Sequence, residues 1–160
     1  MVGRVPLRGR AAGTFAVVDK DLEESLCRRK WSLSWDGYPR TSIYLSRESI
    51  RMSRLIMQPP DDVLVDHING DRLDNRRANL RYATIGQNNA NSKPRGWHGF
   101  KGIVEDRTRT RKRWRAQIHV NRKTVEIGAF ENIEDAARAY DKRALELHGG
   151  FAWLNFPDDK

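Results

Sequence analysis

The pattern of apolar and polar positions predicts a strand followed by a short helix near the start of the chain. Residues 14–18 are apolar and rich in β-branched side chains, which is typical of a strand. Residues 19–27 then place Leu22 and Leu26 on one side and acidic side chains on the other, as in an amphipathic helix.

Alternation of apolar and polar residues continues after this helix. Residues 30–35 and 40–47 both alternate, and the turn-forming residues 36–39 separate them, so the sequence predicts a β-hairpin. Residues 50–57 indicate a strand end that runs into a short helix, which the Pro-Pro pair at 59–60 ends. We interpret residues 14–60 as a scaffold that packs behind the central stretch of the chain.

Two features of this region allow two interpretations. Residues 1–13 are rich in Gly, Pro and Arg, so we expect a frayed end, with an edge strand as the alternative. We expect Trp31 and Trp35 to be core aromatics, with stacking on nucleic-acid bases as the alternative.

The central stretch combines a strand, a tight turn, a second strand and a short helix. The apolar residues 63–65 lead into Asp66 and His67, and an Asn-Gly-Asp turn follows at residues 69–71. The second apolar run begins directly after Asn79. Thr84 is placed to cap a helix that extends to residue 91.

The second half of the chain predicts three strands and one helix. The strands are expected at residues 100–105, 114–120 and 123–130, with residues 121–122 as a two-residue turn. Asn132 or Glu134 opens the helix, and residues 148–150 stop it. The residues expected to pack this helix on the sheet are Ala136, Ala137, Tyr140, Ala144 and Leu147.

Charge directs attention to nucleic acid as a partner. The chain has 160 residues and a formal net charge of +9, and Arg outnumbers Lys. Guanidinium groups bind phosphate through two parallel hydrogen bonds and stack on bases. Eight basic residues and no acid lie between residues 107 and 123: Arg107, Arg109, Arg111, Lys112, Arg113, Arg115, Arg122 and Lys123.

The same composition sets aside several other classes. No apolar run approaches the ~18 residues of a membrane span, and no signal-peptide pattern opens the chain, so we expect no membrane partner and a cytoplasmic location. Cys27 is the only cysteine, so we expect neither an internal disulfide nor a structural zinc site.

The central stretch resembles the ββα-metal core of HNH endonucleases, in particular the phage and intron-type subgroup. Three blocks carry the resemblance: DHINGD at residues 66–71, NRRANLR at residues 75–81 and QNNAN at residues 87–91. The resemblance implies a DNA endonuclease of the homing type. It also implies a phage-encoded protein or one that acts in a bacterial host cytoplasm.

The resemblance implies a role for each polar residue of the core. His67 is the expected general base, and the amide oxygen of Asn79 would hold its ring in one tautomer. Asp66 and Asn88 are the expected ligands of one divalent cation, and their oxygens suit Mg²⁺ or Mn²⁺. Asn89 replaces Asn88 if the helix register shifts by one residue.

Simpler roles are open for the same residues. Asp66 could cap the turn, Asn79 could terminate it, and His67 could be a surface histidine. Of the nearby basic residues, we expect at least one of Arg76 and Arg77 to contact a phosphate, with a solvated charged loop as the alternative.

The second half resembles the Apetala-type (ethylene-response-factor-like) DNA-binding domain. The matching pieces are GFKGI at residues 99–103, WRAQI at 114–118, IGAF at 127–130, EDAARAYD at 134–141 and LNFP at 154–157. The resemblance implies DNA contacts from the sheet, at Lys101, Arg115, Gln117, His119 and Arg122. This chain has Val104 and Glu126 where the plant proteins often have Arg and Trp, so their base preference does not transfer.

Together these observations predict an α+β protein with two domains. A β-rich scaffold and nuclease domain spans residues 1–92 with its core at 63–91, a linker spans 93–97, and the DNA-binding domain spans 98–160. The expected activity is cleavage of double-stranded DNA by a monomer or weak dimer. The rivals are a non-catalytic DNA-binding regulator that retains the HNH scaffold, and an RNA-binding protein that uses the same sheet.

Overall fold

The computed structural model describes residues 1–43, 48–106, 113–120 and 123–157. The chain forms two compact units, Met1–Ala83 and Thr84–Lys160. The fold is α+β in both units, as predicted. The predicted division into domains at residues 1–92 and 98–160, joined by a linker at 93–97, stays a prediction.

A five-stranded sheet forms the larger part of the first unit. Its strands are β1 Val2–Arg8, β2 Phe15–Asp19, β3 Trp31–Leu33, β4 Pro39–Ser42 and β5 Ser49–Arg51. The order across the sheet is β2-β1-β3-β4-β5, in which β1 and β3 run parallel and the other neighbours are antiparallel. The predicted hairpin is present as β3 and β4, and residues 44–47 of its second strand lie outside the described residues.

The expectation of a frayed N-terminus is wrong, because β1 is an inner strand of this sheet. Its residues alternate between exposed and buried, and Gly3, Val5 and Leu7 point into the core. The alternative of an edge strand is also wrong, because β1 pairs with β2 on one side and β3 on the other. The alternation spans seven residues with Gly and Pro among them, and their presence concealed the strand period.

Two short helices, α1 Lys20–Cys27 and α2 Met52–Met57, complete the scaffold. Trp31 is fully buried, as predicted, and its indole N–H donates to the Leu26 carbonyl at 2.8 Å. Trp35, by contrast, is 96 % exposed, so its expected place in the core is wrong. Trp35 follows the end of β3, so it does not take part in the alternation of buried and exposed residues along the strand that buries Trp31.

The predicted strands of the central stretch form a two-stranded antiparallel sheet of β6 Leu64–His67 and β7 Leu80–Ala83. The helix α3, Ile85–Ala90, opens the second unit. Thr84 caps it as predicted: its side chain accepts from the Gln87 N–H, and the Gln87 side chain accepts from the Thr84 N–H.

In the second unit a three-stranded antiparallel sheet packs against one long helix, as predicted. The strands are β8 Ile103–Asp106, β9 Arg113–Val120 and β10 Lys123–Phe130, in the order β10-β9-β8. The helix α4, Ile133–His148, begins after Asn132, whose side chain accepts from the Glu134 N–H.

The core of the second unit lies between its sheet and α4. Its buried members are Ile103, Ala116, Ile118, Ala136, Ala137, Tyr140 and Ala144. Leu147, which we expected to pack here, is exposed. Leu147 lies in the last turn of α4, beyond the part of the helix that packs against the sheet.

Gly102 allows the closest approach between the sheet and α4. Its φ is +75°, a region that disfavours side chains, and a Cβ there would lie 2.1 Å from the Tyr140 ring and 2.8 Å from the Gln117 carbonyl oxygen. The Gly102 carbonyl also accepts from the Gln117 N–H at 2.8 Å. Only glycine satisfies both constraints at this position.

We expect Gly102→Ala to destabilise the second unit by about 2–5 kcal/mol, because backbone strain adds to overpacking against Tyr140. Urea unfolding monitored by circular dichroism measures the loss. Gly99→Ala is the matched control: its φ is +78°, but nothing lies within 4 Å of the added Cβ. The control should lose only the stability that the strained positive φ costs, about 1–2 kcal/mol. Equal losses in the two variants would contradict the role given to Tyr140.

Candidate functional site

The loop between β6 and β7 is fastened to the edge of the scaffold sheet. The Val17 N–H donates to the Leu73 carbonyl at 2.8 Å, and the Asn75 N–H donates to the Val17 carbonyl at 2.7 Å. Asp74 thereby forms a parallel bridge with Val17 of β2. The loop is thus held by the sheet as well as by the turn residues predicted from the sequence.

Asp74 organises the interior of this loop. Arg76 donates to both carboxylate oxygens, at 2.7 and 2.6 Å, and the Asn69 side chain donates to one of them at 3.1 Å. The hydrogen bond from Arg76 is the main reason that the pKa of Asp74 lies below its usual value. The carboxylate is therefore charged at neutral pH, and it holds the loop in one conformation.

Asn79 also holds the loop. Its Oδ1 accepts from the Asn69 N–H at 3.0 Å. Its Nδ2 donates to Asn69 Oδ1 at 2.9 Å and to the Asp74 carbonyl at 2.8 Å. The Oδ1 atom closes the turn, and the predicted bond from the His67 ring to it stays a prediction.

His67 contacts Asn75. The imidazole is buried at the end of β6, and its Nε2 lies 3.3 Å from Asn75 Oδ1. Asn75 is itself buried, and its Nδ2 donates to the Arg72 carbonyl at 3.0 Å, so its oxygen faces the imidazole. An oxygen at that position accepts a proton from Nε2, which leaves the lone pair on Nδ1 of neutral His67.

Burial sets the charge of His67. Desolvation lowers its pKa below 6.5, against the opposing effects of Asn75 and the carboxylates of Asp66, Asp71 and Asp74. The imidazole is therefore neutral at pH 7. Its neutral form is favoured by folding, so the stability of the first unit should fall as the pH drops below 6.5.

Asp66 lies beside His67 and is paired across the two strands with Arg81. The register of β6 and β7 places the two residues opposite each other. Arg81 contacts Asp66 Oδ2 through Nε and Nη2, both at 2.8 Å, and the two side chains are only 18 % and 6 % exposed. The pair balances a buried carboxylate charge, which would otherwise be costly to desolvate.

The predicted metal ligands supply oxygen donors of the type that Mg²⁺ and Mn²⁺ prefer. Asp66 is on β6 in the first unit, and Asn88 is a half-buried residue of α3 in the second. Among the side chains that the structure describes, no group of three or more His, Cys, Asp or Glu is placed to hold a metal ion. The alternative ligand, Asn89, is exposed.

Lys101, one of the predicted DNA contacts, is engaged at the end of α3. Its ammonium donates to the Asn89 carbonyl at 3.2 Å and also to the Ala90 carbonyl. Burial, with a smaller effect from Arg95, lowers the pKa of Lys101 to about 8. The ammonium is still charged at pH 7, and it offsets the partial negative charge at this helix end.

The two arginines predicted near the phosphate are both paired with acids. Arg76 binds Asp74, and Arg77 lies 2.9 Å from Asp21 and 3.5 Å from Asp19. Arg77 and its two acidic partners are all partly exposed, so these surface pairs are weak and salt-sensitive. A phosphate contact by either arginine stays a prediction.

The other predicted DNA contacts lie on β9, on the face opposite the core residues Ala116 and Ile118. His119 is exposed, with its Nε2 3.0 Å from Thr124 Oγ1, and Gln117 pairs across the sheet with Glu126. Arg115 is half-buried on the same face. The described residues do not include Arg122 or the basic residues Arg107, Arg109, Arg111 and Lys112.

Comparison with known proteins gives the family. A family model described as HNH endonuclease matches residues 59–90. An uncharacterised HNH endonuclease of Acanthamoeba polyphaga mimivirus is 36 % identical over 154 residues, which cover 93 % of this chain and 79 % of the relative. The chain belongs to the HNH endonuclease family. Family membership points to a nuclease-type function with DNA as substrate.

The HNH chain also has partial similarity to plant proteins. An AP2/ERF and B3 domain-containing protein of Oryza sativa subsp. japonica is 43 % identical over 58 residues, 36 % of this chain and 15 % of the relative. An AP2/ERF and B3 domain-containing transcription factor of Arabidopsis thaliana is 33 % identical over 70 residues, 37 % of this chain and 20 % of the relative. These short matches give some support for an AP2-like second domain.

No solved structure matches the HNH chain significantly. None of the helices that the structure describes has the length and apolar character needed to cross a membrane.

Asn75 is the residue that sequence reasoning missed. The available signal was its place at the start of the second motif block, eight residues after His67. Its amide was hidden among charged neighbours, and only the docking of the loop on β2 brings it to the imidazole.

We expect Asn75→Leu to lower the pKa of His67 further, because Leu keeps the branched shape but removes the acceptor that favours the protonated ring. Nitrogen-detected NMR of the imidazole, recorded against pH, measures both the pKa and the tautomer. In the wild type the midpoint should lie below 6.5 with the proton on Nε2. Asn69→Leu is the control, since it disturbs the same loop but leaves Asn75 in place. A wild-type His67 with its proton on Nδ1 would contradict the assignment.

Proposed function

We propose that this HNH protein is a metal-dependent DNA endonuclease of the homing type, with a second domain that binds the target through its sheet. The observation that carries the proposal is His67, a buried neutral imidazole whose Nε2 faces an amide oxygen and whose neighbour is the Asp66 carboxylate. A histidine so placed suits the work of a general base at neutral pH.

The first step of hydrolysis requires a base for the attacking water. In our proposal His67 takes the proton of that water, while Asn75, whose Oδ1 lies 3.3 Å from Nε2, orients the ring. The positive charge that forms on the imidazole is stabilised by the carboxylates of Asp66, Asp71 and Asp74, each of which favours the protonated ring.

A divalent cation would be held by the Asp66 carboxylate and the Asn88 amide oxygen. Such an ion, Mg²⁺ or Mn²⁺, supplies charge relief at the phosphate and stabilises the leaving oxygen. Arg81 fixes the Asp66 carboxylate from the opposite strand, so that one oxygen is oriented before any ligand arrives.

Target binding is assigned to the outer face of β9. Arg115, Gln117 and His119 share this face, and Arg122 and Lys101 are the further contacts carried over from the Apetala-type resemblance. A basic sheet of this kind can enter the major groove and reach base edges. With one core per chain, a nick is the simpler product, and a dimer would be needed for paired cuts.

We expect His67→Ala to reduce nicking of supercoiled plasmid in Mg²⁺ by about 100-fold or more, while DNA affinity changes little. The loss follows from removal of the base, and gel analysis of the relaxed product measures it. EDTA should abolish nicking by the wild type. If the wild type binds DNA but nicks it in neither Mg²⁺ nor Mn²⁺, the protein is the non-catalytic regulator.

Asn88→Ala and Asn89→Ala form a matched pair on α3. Asn88→Ala should require a higher Mg²⁺ concentration for half-maximal nicking, because a ligand oxygen is lost. Asn89→Ala should leave the metal titration unchanged. The reverse result would move the ligand role to Asn89.

Removal of Arg115 should weaken duplex binding and flatten its salt dependence. Each lost phosphate contact lowers the slope of log affinity against log salt by about 0.9. Fluorescence anisotropy at several salt concentrations measures this for Arg115→Ala. Arg143→Ala is the control, because it removes the same charge from α4, where Arg143 pairs with Glu146 at 2.8 Å. Equal slopes for the two variants would contradict a DNA contact from the sheet. Tighter binding to duplex RNA than to duplex DNA would contradict DNA as the substrate.

A further inference from the structure

The first unit carries a row of polar residues across the outer face of its sheet. Strand register aligns Arg8 of β1 with Ser32 of β3, and Ser32 with Arg40 of β4. Neighbours in register point to the same face, and the alternation of β1 shows that this face is opposite the core residues Val5 and Leu7. α1 covers the core face, since a Cβ on Gly3 would lie 2.8 Å from Glu23 Cβ.

A cavity of about 460 Å³ lies on this face, and its lining is basic and polar. Arg8, Lys30 and Arg40 line it with four serines. The volume is within the range of about 300–1,000 Å³ that ligand sites occupy. Arg40 Nε is buried and has no hydrogen-bond partner among the residues described, although a guanidinium N–H normally finds an acceptor.

Trp35 lines the same cavity, and its indole is almost fully exposed. An exposed indole offers a flat face on which a nucleic-acid base can stack. The neighbouring acid does not cancel the positive charge here, because Asp36 is paired with Arg51 at 2.7 Å. Three cations and an exposed indole ring therefore share one opening.

The turn that carries Trp35 also touches the loop between β6 and β7. Arg72 of that loop donates to the Asp36 carbonyl at 2.6 Å. The Tyr38 ring lies 5.7 Å from the His67 ring, centroid to centroid. The turn that carries Trp35 is therefore anchored to the loop that holds the base proposed for the hydrolysis.

We propose that this cleft binds an unpaired nucleotide of the DNA strand being cut, with its base stacked on Trp35 and its phosphates on Arg8, Lys30 and Arg40. The inference rests on the proposed function for the identity of the strand. Stacking on an indole requires a free base face, which a paired and stacked base within a duplex does not offer. The open shape of the cleft suits a strand that crosses it.

The test is binding of a fluorescein-labelled twelve-residue oligothymidylate by the full chain in EDTA, where no cleavage occurs. Trp35→Ala should weaken this binding by about tenfold, the effect expected for loss of one stacked base. Trp97→Ala is the matched control, since Trp97 is also largely exposed but belongs to the second unit. The control should stay within about twofold of the wild type.

The phosphate contacts are tested separately with arginine variants. Arg8→Ala and Arg40→Ala should each lower the salt slope of single-strand binding by about 0.7. Arg28→Ala removes an equal charge from the end of α1, on the covered side of the sheet, and should leave the slope unchanged. Because Arg40 is half-buried, circular dichroism checks the fold of that variant, and Arg8→Ala gives the answer independently.

The outcomes test the nucleotide-binding cleft separately from the proposed nuclease activity. Wild-type affinity in Trp35→Ala, or an equal loss in Trp97→Ala, would overturn the cleft whether or not the wild type nicks DNA. Binding that depends on Trp35 in a protein that never nicks would support the cleft and overturn the nuclease. A Trp35-dependent preference for oligouridylate of the same length would overturn the assignment to DNA.

Discussion

Two backbone hydrogen bonds between Val17 and the loop at residues 73–75 are the constraint on which the candidate site depends. They add the loop to the free edge of β2, so the loop takes its position from a sheet with a buried core. A twelve-residue connection between β6 and β7 would otherwise have many conformations to lose on folding. With the loop docked, Asn75 reaches His67.

Charged side chains around the candidate site in the first unit are balanced by nearby groups of opposite charge. Asp66 is balanced by Arg81 and Asp74 by Arg76, while His67 is left neutral by desolvation, which lowers its pKa. In our proposal this neutral imidazole accepts a proton, and the positive charge that then develops is stabilised by carboxylates already in place. The same pairing explains why few positive charges of the loop are available for DNA, and why the outer face of the sheet matters in our proposals.

The short helix α3 depends on tertiary contacts in the second unit. Six residues are too few for a stable isolated helix. The capping box of Thr84 and Gln87 satisfies its first turn, and Lys101 and the Trp153 N–H satisfy carbonyls at its end. Lys101 thus stabilises the end of α3, and it is also a predicted DNA contact.

Local sequence determined the elements whose period or capping was clear: the hairpin of β3 and β4, the strands β9 and β10, α4, and the cap at Thr84. It also determined the residue types of the nuclease core, because the three motif blocks place an acid, an imidazole and amides at fixed spacing. Only the tertiary structure decided that β1 lies inside a sheet, that Trp35 is exposed, and that Asn75 contacts His67. The physical reason is that each of these depends on a partner distant in sequence: β3 for β1, the core boundary for Trp35, and Val17 for the loop that carries Asn75.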